Sequence, residues 1–233
     1  QFCHAIRRNV NLLYVLENNG VYGLTKGQFS ASADIGSKSK GGEANVQPPI
    51  DPVLLALSLG ATFVARGFSG GKADLVPIIK AGLRHRGFGL IDVISPCVTF
   101  NDHEASTKSY RFTRQHHSEM TAVDFVPLRR EIAGDSEIES NGGVMSVTMH
   151  DGSVVRFRRV AQDYDPTNRD AAYAHVRALQ QKGEIATGLL YIDGAGREMH
   201  EISRTVDRPL VDIPFEELCP GSAALSSLME EYR

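Results

Sequence analysis

Asn11-Leu12-Leu13-Tyr14-Val15-Leu16-Glu17 runs directly into Asn18-Asn19-Gly20-Val21-Tyr22-Gly23-Leu24-Thr25-Lys26-Gly27-Gln28. The first seven residues form a short, nearly unbroken apolar run after a polar turn, which predicts a parallel strand buried on both faces. The residues after it are punctuated by glycine and predict a loop leaving the C-terminal end of that strand. In open α/β sheets this edge is where ligands bind.

The surrounding sequence extends the same pattern. Residues 29–50 are rich in Ser, Gly and Lys and close on Pro48-Pro49, a long surface loop of the kind kept for function or mobility. Asp51 is placed to cap a helix, with Pro52 in its first turn, Val53–Leu59 as its body and Gly60 closing it. Ala61–Ala65 predicts a strand, Lys72–His85 a helix and Phe88–Ile94 a further apolar strand. Strands alternating with helices require parallel pairing through right-handed crossovers. The expected fold class is therefore α/β, part of a doubly wound parallel sheet, with a C-terminal α+β extension.

The division is placed at residue 100, with 1–100 as the sheet domain and 101–233 as the extension. Residues 101–142 read as polar and loop-rich. Val144–His150 and Ser153–Arg159 flank Asp151-Gly152, a strong hairpin signal near 144–159. Arg169–Lys182 predicts a helix, Gly188–Ile192 a short strand and Ser222–Tyr232 a terminal helix capped by Ser222. Phe2–Arg8 reads as a helix already in progress, and the natural polypeptide is expected to extend upstream of Gln1.

Composition narrows the function classes. Of 233 residues, 42% are hydrophobic and 23% charged, enough for a sizeable core, and no apolar run is long enough to span a bilayer. The net charge of −3 and the scattered Lys and Arg argue against a nucleic-acid partner or an anionic membrane surface. Cys3, Cys97 and Cys219 lie far apart, which is no disulfide framework and fits a reducing cytoplasm. No secretory signal is visible.

The loop after the first strand carries the chemistry. Asn18 and Asn19 offer neutral amide oxygens, and the glycines let backbone carbonyls approach a ligand closely. Oxygen donors combined with phosphate oxygens suit Mg²⁺, and Lys26 adds a mobile positive charge. The same residue types also suit a plain Asn-Gly turn with a lysine in solvent.

The full string decides between them. Glu17–Gln28 (ENNGVYGLTKGQ), followed by FSAS, resembles the metal- and diphosphate-binding segment of 2-oxoacid:ferredoxin oxidoreductase β subunits. The resemblance implies Asn19 as a side-chain Mg²⁺ ligand and the Val21 carbonyl as a backbone ligand. It implies Asn18, Tyr22, Gly23, Leu24 and Thr25 in the thiamine diphosphate segment, and Leu24 and Lys26 facing the substrate, with Lys26 meeting its carboxylate. Ile91–Asn101 (IDVISPCVTFN) is similar to the family segment that gives one cysteine, here Cys97, to a 4Fe–4S cluster. ATFVARG at 61–67, STKSY at 106–110 and LCPGSA at 218–223 resemble the same subunits. The family's Gly-Asp-Gly motif and its further cluster cysteines are absent from this chain.

The resemblance implies the β subunit of an oxidoreductase that decarboxylates a 2-oxoacid oxidatively to acyl-CoA and CO2 and reduces ferredoxin. It implies thiamine diphosphate, Mg²⁺ and a 4Fe–4S cluster as cofactors, and an α/γ subunit, ferredoxin, the 2-oxoacid and coenzyme A as partners. This chain alone is then expected to be inactive. The alternatives are a non-redox thiamine-diphosphate decarboxylase or carboligase, which needs no Cys97, and a non-catalytic scaffold subunit.

Other residues invite a site and are discounted. His103, His116, His117 and Glu119 lie in a polar segment and read as a solvated loop. Cys3 and Cys219 read as packing residues. Asp163, Asp165, Asp170 and Glu184 surround helix termini, and Arg7-Arg8 and Arg129-Arg130 read as surface pairs.

Overall fold

In a computed structural model of the chain, all residues are described except 40, 104–105, 127–143, 149–151, 153, 160–163, 220 and 233. Arg129-Arg130, Asp163 and the hairpin tip at Asp151 lie outside the described residues. The chain divides into two compact units, Gln1–Met199 and His200–Arg233.

The first unit is built on one seven-stranded sheet. Its strands are β1 (Leu12–Asn18), β4 (Phe63–Phe68), β5 (Phe88–Ile94), β6 (His117–Val126), β7 (Val144–Thr148), β8 (Val154–Arg159) and β9 (Ile185–Ile192), in the order β1-β5-β4-β9-β6-β8-β7. A separate two-stranded ribbon joins β2 (Val21–Tyr22) to β3 (Gln28–Phe29). The expected parallel core is present, with β5 pairing in parallel with β1 on one side and β4 on the other.

Helices cover both faces, as a doubly wound sheet requires. Against one face, α1 (Phe2–Arg7), α2 (Pro52–Leu59) and α5 (Arg169–Gln181) bring Ile6, Val53, Leu57 and Val176 onto Val64, Phe88, Leu90 and Leu190. On the other, α3 (Lys72–Arg84) packs Ile78 and Ala81 against Phe63, Ala65, Ile91 and Leu189. Alternation along each strand divides these sets between the two cores, and each fully buried large side chain contributes roughly 1.5–3 kcal/mol. The α2 boundaries follow the sequence signals. Asp51 accepts the amides of Val53 and Leu54, Pro52 opens the helix and Gly60 ends it with φ +86°.

The structure corrects five expectations. β1 is not buried on both faces: among the described residues it pairs only with β5, and Leu12, Tyr14 and Val15 are 37–46% exposed. An apolar run reports the burial a strand can tolerate, not the neighbours it has. The described residues between 101 and 126 are not mainly loop, since α4 (Tyr110–His116), capped by Ser109, leads straight into β6. The sheet also runs on past residue 100, because β9 and β6 join it beside β4. The strand predicted at Gly188–Ile192 starts at Ile185. Lastly, the terminal helix α8 begins at Gly221, so Ser222 lies inside it.

β9 runs antiparallel to β4 and parallel to β6, with a register shift against each. Gly188 makes this junction possible. Its φ is +95°, and a Cβ there would lie 2.5 Å from the Thr121 carbonyl oxygen, so only glycine fits. β7 and β8 form the expected antiparallel hairpin at the far edge.

After α6 (Met199–Ser203), the second unit holds α7 (Phe215–Leu218) and α8 (Gly221–Glu231), with an ion pair between Arg208 and Glu217. Its described residues are not buried, and Phe215, Leu225 and Leu228 are exposed. Among the described residues no helix is long and apolar enough to cross a membrane.

Candidate functional site

The end of β1 and the loop after it form a tightly built tip. Asn18 closes β1, and its carbonyl accepts the Ser95 amide at 3.1 Å. Asn19 Oδ1 accepts the Val21 amide at 3.0 Å, a turn that Asn side chains favour. Gly20 (φ +74°) takes the chain around the bend, and a Cβ there would come within 2.7 Å of Asn101 Nδ2. The Gly20 carbonyl accepts the Ser30 amide at 3.2 Å. In an antiparallel ribbon the next pair, Val21 and Phe29, then directs its backbone groups away from each other. This leaves the Val21 carbonyl on the side where its amide meets Asn19.

From Tyr22 to Gly27 the ribbon closes through hydrogen bonds from Lys26 to Gly23 (3.0 Å) and from Gly27 to Tyr22 (3.1 Å). Lys26 has φ +65°, which is rare for a residue with a side chain. Leu24 is 98% exposed, and Thr25 and Lys26 project with it. An open recess of about 1070 Å³ beside this tip is lined by Tyr22, Thr25, Lys26, Gln28, Glu43 and Asn45 among others.

The second predicted segment meets the first. β5 lies beside β1 with Asn18 opposite Ile94, so Cys97 emerges on the same sheet edge as Asn19. Its carbonyl accepts the amides of Phe100 (3.2 Å) and Asn101 (2.8 Å). Asn101 Nδ2 then donates to the Asn19 carbonyl at 2.7 Å, joining the cysteine turn to the Asn-Asn tip. Cys97 is half-buried and free.

Residues that the sequence reading passed over hold this edge together. Lys108, 8% exposed, ion-pairs with Asp34 at 3.2 Å, and Thr107 donates to the same carboxylate. The loop at 29–50 is organised internally: buried Asn45 Nδ2 reaches the carbonyls of Ala33, Asp34 and Gln47. Beneath the tip, Arg66 Nε donates to Asp92 Oδ2 (2.8 Å) and its NH2 group to Asp51 Oδ1 (2.7 Å). Asp92 Oδ1 in turn accepts from Asn18 Nδ2 at 3.1 Å. A detectable signal was present, since Asp92 and Arg66 are the charged residues in FGLIDVI and FVARGF, strands otherwise apolar.

Burial alone would raise the Asp51 carboxyl. The Arg66 charge and hydrogen bond, helped by the amides of Leu54 and Val53, outweigh that and hold it below its ordinary value. Its contribution to stability is therefore present above the unfolded value near 3.8 and is lost as pH falls through the lower folded value. Arg66 has desolvation acting against its charge, but the two carboxylates outweigh it and its pKa is raised. Arg66→Ala is expected to cost about 3–5 kcal/mol, because it leaves two carboxylates without their cation. Urea unfolding monitored by circular dichroism checks this, and a loss below about 1 kcal/mol would refute it.

The discounted residues carry no site. His116 and His117 each bond through Nδ1 to a carbonyl one turn back, Phe112 and Thr113, and His116 stacks on Phe112. Burial and nearby Asp74 push the Glu119 carboxyl up, partly opposed by His117. Among the described residues no group of three or more His, Cys, Asp or Glu could hold a metal ion. Cys3 and Cys219 are exposed, not packed. Cys3 lies on the outer side of a helix that buries only Ile6, and Cys219 lies in the unit whose described residues are not buried.

Comparison with known proteins agrees with this picture. Residues 1–93 match the family described as thiamine pyrophosphate enzyme, C-terminal TPP binding domain. The chain is similar to the 2-oxoacid:ferredoxin oxidoreductase subunit beta of Saccharolobus solfataricus, with 47% identity over 110 residues, covering 47% of this chain and 35% of that protein. It is 40% identical over 100 residues to the 2-oxoglutarate oxidoreductase subunit KorB of Mycobacterium tuberculosis, covering 42% of this chain and 27% of that one. A solved 2-oxoglutarate:ferredoxin oxidoreductase from Magnetococcus marinus, with 2-oxoglutarate, coenzyme A and succinyl-CoA bound, superposes with a TM-score of 0.60 at 26% identity. That match covers 87% of this chain and 54% of the other. The chain spans about a third of the length of the curated relatives it matches first.

Proposed function

We propose that this chain supplies the diphosphate-binding edge of the β subunit of a 2-oxoacid:ferredoxin oxidoreductase, which converts a 2-oxoacid and coenzyme A to acyl-CoA and CO2 with reduction of ferredoxin. The observation that carries the reading is the Asn19–Lys26 tip, built at the C-terminal end of a parallel strand and joined by Asn101 to the turn of Cys97. Similarity to oxidoreductase β subunits over this part of the chain supports it.

The donor set fits a magnesium diphosphate. Asn19 Oδ1 keeps a lone pair beyond its bond to Val21, and the Val21 carbonyl faces the same side. Two neutral oxygens suit an ion that keeps waters and shares phosphate oxygens instead of taking an all-protein cage. Thiamine diphosphate, when bound, supplies the carbanion and electron sink for 2-oxoacid decarboxylation. The protein's part is to hold and orient it. Tyr22, Gly23 and Thr25 form the wall of the tip, Leu24 offers an apolar contact, and Lys26 presents a charge to the substrate carboxylate. Cys97 is the residue of this edge able to ligate a 4Fe–4S cluster, which takes thiolates. The remaining ligands, the group that activates the aminopyrimidine and the α/γ subunit complete the enzyme, with ferredoxin as electron acceptor.

Calorimetric titration of the full-length subunit with thiamine diphosphate and Mg²⁺ tests the reading, and no Mg²⁺-dependent binding would overturn it. Lys26→Ala in the assembled enzyme is expected to remove one charge-assisted contact, about 1.5–3 kcal/mol. This corresponds to a roughly 10- to 150-fold rise in KM for the 2-oxoacid with cofactor affinity kept. An unchanged KM would remove Lys26 from the substrate.

A further inference from the structure

Asn18 and Asn19 are adjacent and chemically identical, yet the fold uses them in opposite directions. Asn19 faces the tip. Asn18 is 7% exposed, and both ends of its amide are engaged beneath the tip. Its Nδ2 donates to Asp92 Oδ1 at 3.1 Å, and its Oδ1 accepts from Ser32 Oγ at 2.6 Å. Ser32 Oγ also lies 2.9 Å from Ser30 Oγ, and the Ser30 amide is held by the Gly20 carbonyl. One side-chain amide thus clamps the entry and the exit of the 19–31 segment together.

The clamp has a defined orientation because Asp92 has one. An ionised carboxylate only accepts hydrogen bonds, so it fixes the amino side of Asn18 toward β5 and leaves the carbonyl side for Ser32. Asp92, fully buried, is set in turn by Arg66, its neighbour in β4, which Asp51 holds from the cap of α2. Apolar residues of similar volume could fill this space at little or no cost in stability, so core packing does not account for a charged chain under the tip.

We propose that Asp92, acting through Asn18, is a positioning residue for metal and diphosphate binding, and that Asn18 is the clamp of the site and not one of its ligands. The inference rests on the magnesium-diphosphate reading above and assigns a role to residues outside the ligand set. Groups that orient a metal ligand typically change metal affinity about 10- to 100-fold when removed. Asp92 stands one bond farther back, behind a side chain that spans the whole turn.

The test uses the full-length subunit assembled with its partner. Asp92→Ala, Asn18→Ala, their double variant and Ser32→Ala are titrated calorimetrically with thiamine diphosphate at fixed Mg²⁺, with circular dichroism and the thermal midpoint recorded alongside. Asp92→Ala and Asn18→Ala are each expected to weaken binding about 10- to 100-fold. The double variant is expected to be no worse than the weaker single, within about twofold, because the two residues act in series. Losses that multiply would show that Asp92 does not act through Asn18 and would overturn the proposal. Should Asp92→Ala fail to fold, Ser32→Ala decides. It removes one hydroxyl from a partly exposed position, and weakened binding at an unchanged thermal midpoint supports the clamp, whereas wild-type affinity overturns it. A wild-type subunit that binds no thiamine diphosphate overturns the site itself. Wild-type binding that survives Asp92→Ala intact overturns only the positioning role.

Discussion

Asn19→Ala, in the intact subunit assembled with its partner, is expected to weaken Mg²⁺-dependent thiamine diphosphate binding by at least the roughly 100-fold reached by the loss of an outer-shell group. The substitution removes two things together. It deletes the side-chain oxygen proposed to hold the ion, and it frees the Val21 amide that the same oxygen accepts at 3.0 Å. The Val21 carbonyl, the second donor of the pair, then loses the turn that aims it. The hydrogen bond from the Asn101 side chain to the Asn19 backbone carbonyl survives in the variant, so the loss stays local and the fold is kept. Asn19→Asp retains the oxygen and adds a charge that a divalent ion favours, so it is expected to bind far better than the alanine variant. Calorimetry at several Mg²⁺ concentrations checks both, and an affinity for Asn19→Ala equal to wild type would remove Asn19 from the metal.

On the proposed reading, Cys97→Ala in the assembled enzyme is expected to abolish ferredoxin reduction while leaving thiamine diphosphate binding intact. The separation follows from how the turn is made. The contacts that fold it onto the tip are backbone bonds from Phe100 and Asn101 to the Cys97 carbonyl, which alanine keeps. Only the thiolate is lost, and a cluster short of one ligand is lost or becomes labile. The measurement pairs ferredoxin-reduction rate and visible absorbance of the anaerobically prepared enzyme with cofactor titration. Full electron transfer in the variant would remove Cys97 from the cluster, whereas a wild-type enzyme without iron–sulfur absorbance would favour a non-redox thiamine-diphosphate enzyme.

How much of this was legible beforehand depended on whether the signal was local. The α2 boundaries were readable because Asp51, Pro52 and Gly60 each act within a few residues. The limits of β5, Phe88–Ile94, were readable from its apolar run. β1 was misjudged because an apolar run does not say which strands flank it. β6 was missed because residues 117–126 alternate too weakly to show a strand bordered by others on both sides. The Asn-Asn tip and Cys97 were found by resemblance to known strings, and the structure brings them to one edge. The groups that tie them together, Asn101, Lys108, Asp34 and Arg66, act across separations of 15 to 82 residues. No short-range pattern carries such pairings. The isolated charges Arg66 and Asp92 in apolar strands were the visible trace of one of them.

The place of β9 has a consequence for how the chain is made. Residues 185–192 emerge from the ribosome after the other described strands, yet they fill the position between β4, complete at residue 68, and β6, begun at residue 117. Until then β4 keeps an open edge and β6 has no partner on that side, the condition under which partly formed sheets aggregate. The architecture is finished by insertion, not by growth at a border. Its slow step is then set by the arrival of that late segment, whose contacts with β4 close a loop of more than a hundred residues.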